Sequence, residues 1–258
     1  MNNSCLNLSD RVAVVLGGTS GLGQAIAIGL AQHGADVVPG GRREDRLQET
    51  CAQIAASGRK TLHVPVDVKS RQSIEAFRDR VLAEFGATDI LVNAAGTTFR
   101  RPTVDVTDSD WSAIFETNLT GVLHACQVLY EPLKARKRGR IINIASLGSY
   151  LAFHQVAAYC ASKSAVLSLT RSLACEWARE GICVNAIAPG VFPTELNSAL
   201  LRGTARGDEI LMRTPMGRFG QPHEVVGAAV LLASDAASFV TGQCIAVDGG
   251  FLASGVNS

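Results

Sequence analysis

The chain has 258 residues, of which 47% are hydrophobic and 5% aromatic, a composition typical of a parallel sheet covered by helices. Its formal net charge of +1 gives no electrostatic sign of a nucleic-acid partner or of an anionic membrane surface. The seven cysteines form no CxxC pair and no apolar run approaches ~18 residues, which predicts a soluble protein of the reducing cytoplasm without a metal site.

Apolar segments alternate with helical patterns along the chain. Strands are predicted for seven apolar segments: residues 11–17, 36–39, 63–68, 89–96, 140–146, 182–190 and 243–250. Helices are predicted from the glycine-rich turn after the first strand to Gly34, and near residues 44–57, 70–85, 108–135 and 156–180. This alternation implies right-handed parallel crossovers. We therefore expect one doubly wound α/β domain of the Rossmann type over residues 1–258, with a seven-stranded parallel sheet and helices on both faces.

Two stretches depart from this regularity. Residues 191–220 mix short helical pieces with Gly and Pro after the sixth strand, which is typical of a substrate-binding loop. Residues 134–140 (KARKRGR) are locally basic. Because they follow a long helical pattern, they are interpreted as cations at a helix C-terminus rather than as a nucleic-acid patch.

A glycine-rich turn joins the first strand to the first helix. Gly17, Gly21 and Gly23 have the spacing G-x-x-x-G-x-G, and no GK[ST] follows, so this is not a Walker A motif. Glycines let the backbone approach a pyrophosphate closely, and the helix N-terminus supplies free N–H groups. In this strand–turn–helix context the motif predicts dinucleotide binding.

A tyrosine and a lysine share one face of the helix predicted over residues 156–180. Tyr159 and Lys163 stand four residues apart, one helical turn. An ammonium beside a phenol favours the phenolate and is expected to lower a pKa that begins near ~10. Such a tyrosine is able to donate or accept a proton near neutral pH. The spacing alone is not diagnostic, because any long helix can carry it.

Six motifs together carry a family resemblance. They are GGTSGLG at 17–23, NAAG at 93–96, Asn118 in TNLTG, Ser146 thirteen residues before Tyr159, the YxxxK pair, and PGVFPT at 189–194. In this order and spacing the chain resembles the classical short-chain dehydrogenase/reductase family from about residue 8 to residue 252. One departure is Leu16, where the family more often has Thr, and its cost would be a structural hydrogen bond.

The resemblance implies an oxidoreductase with four catalytic residues. Tyr159 would protonate a carbonyl oxygen or deprotonate a hydroxyl, and Lys163 would lower the tyrosine pKa and hold the nicotinamide ribose. Ser146 would hydrogen-bond the same substrate oxygen, and Asn118 would hold a water in a proton relay to Lys163. A serine-hydrolase interpretation fails because Ser146 lies in IASLG, not in G-x-S-x-G.

The resemblance also implies the cofactor-binding residues. They are Gly17, Thr19, Ser20, Gly21, Leu22, Gly23, Gly41, Arg42, Arg43, Asp67, Val68, Asn93, Ala94, Gly96, Tyr159, Lys163, Pro189, Gly190, Val191 and Thr194. Within this set the NAAG segment would lie beside the adenosine ribose, and residues 67–68 at the adenine. The segment 189–194 would fix the nicotinamide carboxamide.

The end of the second strand bears on the choice of dinucleotide. An NAD enzyme of this fold usually places an acidic residue there, which binds the ribose hydroxyls and repels a 2′-phosphate. Here Gly41 takes that position, and Arg42 offers a planar set of donors to a phosphate. The pattern favours NADP(H) and leaves NAD(H) open, since Ser20 is neutral where some NADP enzymes carry Arg or Lys. On this basis Gly41→Asp is expected to shift the preference toward NADH.

Three residues bear on the substrate. Arg100 and Arg101 follow the NAAGTT segment and either bind a carboxylate or remain solvated. His154, five residues before Tyr159, is either a pocket residue or a loop histidine. Residues 189–197 and the tail from Gly249 resemble the gluconate 5-dehydrogenase and related sugar-acid branch of the family.

The leading interpretation is an NADP(H)-dependent dehydrogenase/reductase acting on a small polar substrate such as a sugar acid. One alternative is a 3-oxoacyl-[acyl-carrier-protein] reductase, and another is a non-catalytic dinucleotide-sensing regulatory protein. The resemblance further implies a homotetramer that pairs the two long helices across one interface and the last strand and tail across another. A metalloenzyme is disfavoured because the five histidines are scattered without paired spacing.

Overall fold

Six parallel strands form one sheet in the part of the chain that the computed structural model describes, which is residues 5–194, 201 and 203–255. The strands are β1 (Val12–Leu16), β2 (Asp36–Gly40), β3 (Ile90–Asn93), β4 (Gly139–Ile144), β5 (Ile182–Pro189) and β6 (Cys244–Val247). Their order in the sheet is β2-β1-β3-β4-β5-β6. The order reverses between β1 and β3, which is the topological switch point of a doubly wound sheet.

Nine helices flank the strands in these described residues. They are α1 (Gly21–Gln32), α2 (Glu44–Ala56), α3 (Arg71–Phe85), α4 (Asp108–Phe115), α5 (Gly121–Val128), α6 (Tyr130–Ala135), α7 (Ala157–Trp177), α8 (Ala205–Arg213) and α9 (Val226–Ala233). None of them combines the length and apolar character that crossing a bilayer requires.

The sheet is buried on both faces, which is why its strands are continuously apolar. Val14 and Leu16 of β1 pack in a core with residues of α3, α5 and α7. The intervening Ala13 and Val15 pack in a second core with residues of α1 and α9. Successive residues of one strand thus serve opposite cores, as the pleat requires. The predicted doubly wound α/β architecture is confirmed.

The predicted strand at residues 63–68 is not a strand, so the sheet has six strands rather than seven. The segment still runs beside β2, because Val37 donates to the Lys60 carbonyl and Val66 donates to the Gly41 carbonyl, both at 3.0 Å. Between these two bonds, Pro39 occupies the β2 position that would donate the next one. Proline has no N–H, so the ladder is interrupted and β2 remains the edge strand.

The long helix predicted near 108–135 is divided in the structure. A π-helical turn, Glu116–Thr120, separates α4 from α5, and Leu129 separates α5 from α6. The π-helical turn contains Asn118, one of the predicted catalytic residues, and such turns are frequent at functional sites. The predicted substrate loop, 191–220, falls partly on residues 195–200 and 202, which lie outside the described residues, and its later part contains α8.

A buried carboxylate explains much of the basic run 134–140. Asp89, which precedes β3, is 0% exposed and accepts from Nε of Arg136 at 2.7 Å and Nε of Arg138 at 2.9 Å. It also accepts from the Val12 N–H at 3.0 Å. Burial alone raises the pKa of Asp89, but these hydrogen bonds outweigh burial and hold that pKa below its ordinary value. Two arginines of the basic run therefore neutralise a buried carboxylate at the amino end of the sheet.

Candidate active site

The carboxyl ends of the strands bring the predicted site residues to one edge of the sheet. The glycine-rich turn follows β1, the NAAG segment begins at the end of β3, and Ser146 follows β4. Pro189 ends β5. In open α/β sheets ligands bind at this edge, near the point where the strand order reverses.

The glycine-rich turn leaves no room for a side chain at Gly17 or at Gly23. A Cβ at Gly17, whose φ is +81°, would lie 2.4 Å from the Ala95 nitrogen, and a Cβ at Gly23 would lie 2.2 Å from the Gly17 oxygen. Ser20 occupies the N-cap of α1 without a side-chain capping bond, and the first turn contains no acidic residue. The N-terminus of α1 thus keeps its N–H groups and positive dipole end free for an anion. This arrangement fits the pyrophosphate of a dinucleotide.

The end of β2 presents two arginines to solvent. Arg42 and Arg43 are both exposed, and in the described part of the chain no carboxylate forms an ion pair with either. Gly41, just before them, lies against the side chain of Thr19 from the glycine-rich turn. A phosphate approaching this corner would meet uncompensated positive charge.

Two of the predicted adenosine contacts, Val68 and Asn93, line a small concavity at the carboxyl ends of β1 and β3. Its lining residues are Leu16, Val68, Asn93, Ala95, Thr117, Gly121 and Val122. The side chain of Asn93 turns away into the sheet, where its amide donates to Asn143 Oδ1 at 2.8 Å. The carboxylate of Asp67 accepts from the Lys69 N–H at 3.0 Å. The Asp67 carboxylate keeps further acceptor positions, so its contact with the adenine remains a prediction.

Tyr159 and Lys163 lie in the first two turns of α7, beside the end of β4. The Lys163 ammonium donates to the Ile144 carbonyl at 2.7 Å and lies 5.9 Å from the centre of the Tyr159 ring. Ser146 caps a short 3-10 helix, and its Oγ accepts from the Gly148 N–H at 3.1 Å. The structure thus brings the predicted serine, tyrosine and lysine together.

The pKa of Tyr159 differs from the expectation drawn from its neighbour. Burial raises this pKa, a hydrogen bond with Ser146 lowers it in part, and the net direction is upward. The expected lowering by Lys163 is not found because the ammonium is itself 5% exposed and turned to the Ile144 carbonyl. Burial lowers the pKa of Lys163 to about 8. At neutral pH the tyrosine is therefore a neutral phenol, which suits a proton donor.

Asn118 forms a bridge between three segments. Its Oδ1 accepts from the Thr97 N–H at 2.8 Å, and its Nδ2 donates to the Thr97 carbonyl at 3.0 Å and to Ser162 Oγ at 3.1 Å. Asn118 Oδ1 and Lys163 Nζ both lie 3.5 Å from where a Cβ on Gly96 would be. Asn118 thereby fixes the loop after β3 next to Lys163. Its role in a proton relay remains a prediction.

Two serines that the sequence did not single out support this set. Ser162 is 0% exposed, accepts from Asn118, and donates to the Tyr159 carbonyl at 2.7 Å. Ser149 Oγ donates to the Lys163 carbonyl at 2.8 Å. The sequence offers only their closeness to Ser146 and Tyr159 as a signal, because serine is common in such positions.

The two candidate substrate arginines differ in their partners. Arg101 pairs with Asp110 of α4, and its N–H donates to the Gln155 carbonyl at 2.8 Å. This backbone bond joins the loop after β3 to the loop that precedes α7. Arg100 and His154 are exposed on these same two loops. Arg101 is therefore engaged structurally, whereas in the described residues no carboxylate pairs with Arg100.

The loop after β5 packs against the last strand. The Gly190 N–H donates to the Val247 carbonyl at 2.8 Å, and a Cβ on Gly190 would lie 2.6 Å from Asp248 Cα. Val191 accepts from the Gly220 N–H at 3.0 Å. The methyl group of Thr194 approaches Gly21 of the glycine-rich turn. The predicted carboxamide loop thus reaches from β5 to the N-terminus of α1. Within residues 5–194, 201 and 203–255, no three His, Cys, Asp or Glu side chains are grouped to hold a metal ion.

The chain is similar to known proteins over almost its whole length. A family model described as enoyl-(acyl carrier protein) reductase matches residues 17–252. The 2-dehydro-3-deoxy-D-gluconate 5-dehydrogenase of Escherichia coli (strain K12) is 43% identical over 251 residues, covering 97% of this chain and 98% of that protein. The gluconate 5-dehydrogenase of Gluconobacter oxydans (strain 621H) is 38% identical over 248 residues, covering 96% and 97%. A crystal structure of a gluconate 5-dehydrogenase from Burkholderia cenocepacia J2315, in complex with NADP and tartrate, has a TM-score of 0.93 at 40% identity and covers 97% of this chain and 98% of that one.

Proposed function

The chain belongs to the short-chain dehydrogenase/reductase family, and we propose that it is an NADP(H)-dependent oxidoreductase that interconverts a secondary alcohol and a ketone on a sugar acid. One observation carries the proposal: Ser146, Tyr159 and Lys163 meet at the edge of the sheet where the uncapped N-terminus of α1 also lies. The relatives named above supply the substrate class.

Each side chain has a distinct part in the chemistry. The bound nicotinamide supplies or accepts the hydride. The neutral phenol of Tyr159 donates its proton to the carbonyl oxygen in reduction, and its phenolate takes the proton back in oxidation. Ser146 donates a hydrogen bond to the same oxygen as negative charge develops there. Lys163, whose pKa of about 8 lies near neutral pH, passes a proton to or from Tyr159.

NADP(H) rather than NAD(H) is supported by the corner at the end of β2. The two exposed arginines that follow Gly41 face no described carboxylate, so a 2′-phosphate would gain charge-assisted hydrogen bonds there. Such a bond is worth about 1.5–3 kcal/mol, or roughly 10- to 150-fold in affinity. The Burkholderia relative is itself a complex with NADP.

A sugar-acid substrate is supported by Arg100. Because the Arg101 guanidinium is paired with Asp110, Arg100 is the guanidinium of this pair that remains for a substrate carboxylate. Arg100→Ala is then expected to raise KM for a keto acid by about 10- to 150-fold, with kcat nearly unchanged. A neutral polyol assayed with the same variant serves as the internal control.

We also propose a cytoplasmic homotetramer. All seven cysteines are free, which suits a reducing compartment. Val104 and Phe239 are 92% and 102% exposed, and Trp111 on α4 is 42% exposed, so apolar groups remain to be covered by another copy. Sedimentation at micromolar concentration is expected to show an oligomer. A monomer alone would contradict this proposal.

A substrate panel tests the proposed activity. Keto sugar acids, polyols and acyl thioesters are offered with NADPH and with NADH, and turnover is followed at the nicotinamide absorbance. We expect turnover on keto sugar acids with NADPH. Preferred turnover of acyl thioesters would establish the 3-oxoacyl reductase alternative instead. Tight NADPH binding without turnover on any substrate would favour the sensor.

A further inference from the structure

Gly41 is a glycine because of the space around it, not because of its backbone conformation. Its φ lies outside the left-handed region, so any residue can adopt that backbone. A Cβ at this position, however, would lie 2.6 Å from Oγ1, 2.7 Å from Cγ2 and 3.2 Å from Cβ of Thr19. These distances are well inside the roughly 3.5–4.0 Å of favourable contact. The space that a side chain at position 41 needs is filled by Thr19.

Rotation of Thr19 does not clear this space. Its Oγ1 and Cγ2 now occupy the two staggered positions that face Gly41. Because threonine carries two heavy branches on Cβ, any other χ1 rotamer still leaves one of them facing Gly41. Thr19 is also only 6% exposed, so neighbouring atoms confine it. The β-branch, rather than the hydroxyl, is what closes position 41.

We propose that Thr19 restricts position 41 to glycine and thereby excludes from it the carboxylate that would favour NAD(H). An acidic side chain at this position would bind the adenosine ribose hydroxyls and repel a 2′-phosphate. With Thr19 present the position stays empty, and Arg42 is left to bind the phosphate. The inference rests on the proposed preference for NADP(H). It also differs from the expectation drawn from the sequence, because under this proposal Gly41→Asp alone would not create an NADH site.

The experiment compares Gly41→Asp alone with two double variants. Thr19→Ser/Gly41→Asp has a single Oγ that can rotate away from position 41. Thr19→Val/Gly41→Asp keeps both branches in nearly the same volume and removes only the hydroxyl. The melting temperature of each chain without cofactor reports the steric conflict. Titrations with NADPH and with NADH, followed by protein fluorescence, report specificity.

We expect Gly41→Asp to lower the melting temperature by about 2–12 °C and to weaken the binding of both dinucleotides. Thr19→Ser/Gly41→Asp should recover most of the melting temperature and bind NADH at least about 10-fold more tightly than Gly41→Asp does. It should also prefer NADH over NADPH. Thr19→Val/Gly41→Asp should remain as unstable and as weakly binding as Gly41→Asp.

Three results would overturn the proposal. The first is that Gly41→Asp melts like the wild type and already prefers NADH, and the second is that the serine and valine double variants behave alike. The third is that Thr19→Ser/Gly41→Asp regains stability without any change in the ratio of its affinities for NADH and NADPH. The wild-type titration separates these failures from a failure of the proposed function, because equal affinity for NADH and NADPH would contradict the NADP(H) preference itself.

Discussion

The two ends of the sheet each bury a charged side chain, but these two side chains differ in whether an opposite charge pairs with them. At the amino end, the carboxylate of Asp89 is fully buried but receives Arg136, Arg138 and the Val12 N–H. At the carboxyl end, Lys163 is 5% exposed and its ammonium donates to the Ile144 carbonyl, while no carboxylate in the described part of the chain forms an ion pair with it. The pKa of Asp89 is held below its ordinary value, whereas burial lowers the pKa of Lys163 to about 8.

This difference in partners gives the two buried charges different roles, one in stability and one in proton transfer. A buried charge with several partners keeps its protonation state over a wide pH range, and it fixes the segments that supply those partners. A buried ammonium without a counter-ion costs folding free energy, but it exchanges its proton near neutral pH. The amino end therefore holds the strands in place, and the carboxyl end retains a group that can take part in proton transfer.

The largest expected effect comes from breaking the amino end. Asp89→Ala leaves two guanidinium groups and a buried N–H without their shared acceptor, so the free energy of unfolding should fall by about 3–5 kcal/mol. Denaturant titration measures this loss, and turnover per folded molecule should be unchanged. Asp79→Ala is the matched control, because Asp79 is exposed and, among the described residues, forms its ion pair with its neighbour Arg78 alone. Equal stabilities of the two variants would contradict the assigned role of Asp89.

Removal of one hydroxyl at the carboxyl end should instead reduce turnover and leave stability unchanged. Tyr159→Phe is expected to reduce turnover at least ~10²-fold, since the general acid is lost, while the fold and NADPH binding persist. Tyr130→Phe is the control. It removes a hydroxyl that donates to the Glu180 carboxylate and should keep full turnover. Steady-state kinetics and an NADPH titration check both variants. Full activity in folded Tyr159→Phe would exclude the proposed mechanism.

The sequence predicted the parts of this comparison that depend on local pattern. Continuous apolar runs located the strands of the sheet, and the glycine spacing located the free N-terminus of α1. The Tyr159–Lys163 pair was placed correctly on one helix face because helical periodicity fixes it. These features depend on neighbouring residues alone, so they can be predicted without knowing which loops contact one another.

The features that the sequence did not predict depend on distant segments meeting. Nothing in the sequence around Asp89 indicated that its carboxylate would accept hydrogen bonds from the basic run, which lies more than forty residues later in the chain. Asn118 bonds Thr97 across twenty-one residues, and the pKa of Tyr159 depends on how deeply the assembled site buries it. The strand predicted at residues 63–68 did not form for a local reason that was visible in the sequence, the missing N–H of Pro39.

A pH titration of stability sharpens the comparison at Lys163. In the folded chain without cofactor this group loses its proton near pH 8, whereas in the unfolded chain it does so near ~10.4. Between these values the unfolded chain binds more protons, so Lys163 makes stability rise with pH by up to ~1.4 kcal/mol per unit. Lys163→Met should lack this contribution. Parallel unfolding curves of the two proteins between pH 8 and ~10 would show that the ammonium is not desolvated.

The smallest loss of stability is expected for Ser162, a buried hydroxyl near the carboxyl end of the sheet that has hydrogen-bond partners. Ser162 and Ser172 both lie on α7 and both donate to a carbonyl of the preceding turn, at 2.7 Å and 3.1 Å. Only Ser162 is buried and also accepts from Asn118. One Asn118 Nδ2 hydrogen keeps the Thr97 carbonyl and the other loses its acceptor, so Ser162→Ala should cost about 1–2 kcal/mol of unfolding free energy.

Turnover distinguishes a positioning role of Ser162 from a purely structural one. Ser162 holds the carbonyl of Tyr159, so its loss lets the phenol shift and should lower kcat by less than about 10-fold, with KM little changed. Ser172→Ala removes a comparable hydrogen bond from the exposed side of the same helix and should alter neither stability nor kcat. If Ser162→Ala and Ser172→Ala have the same kcat and the same unfolding free energy, the Asn118–Ser162–Tyr159 connection does not position the phenol.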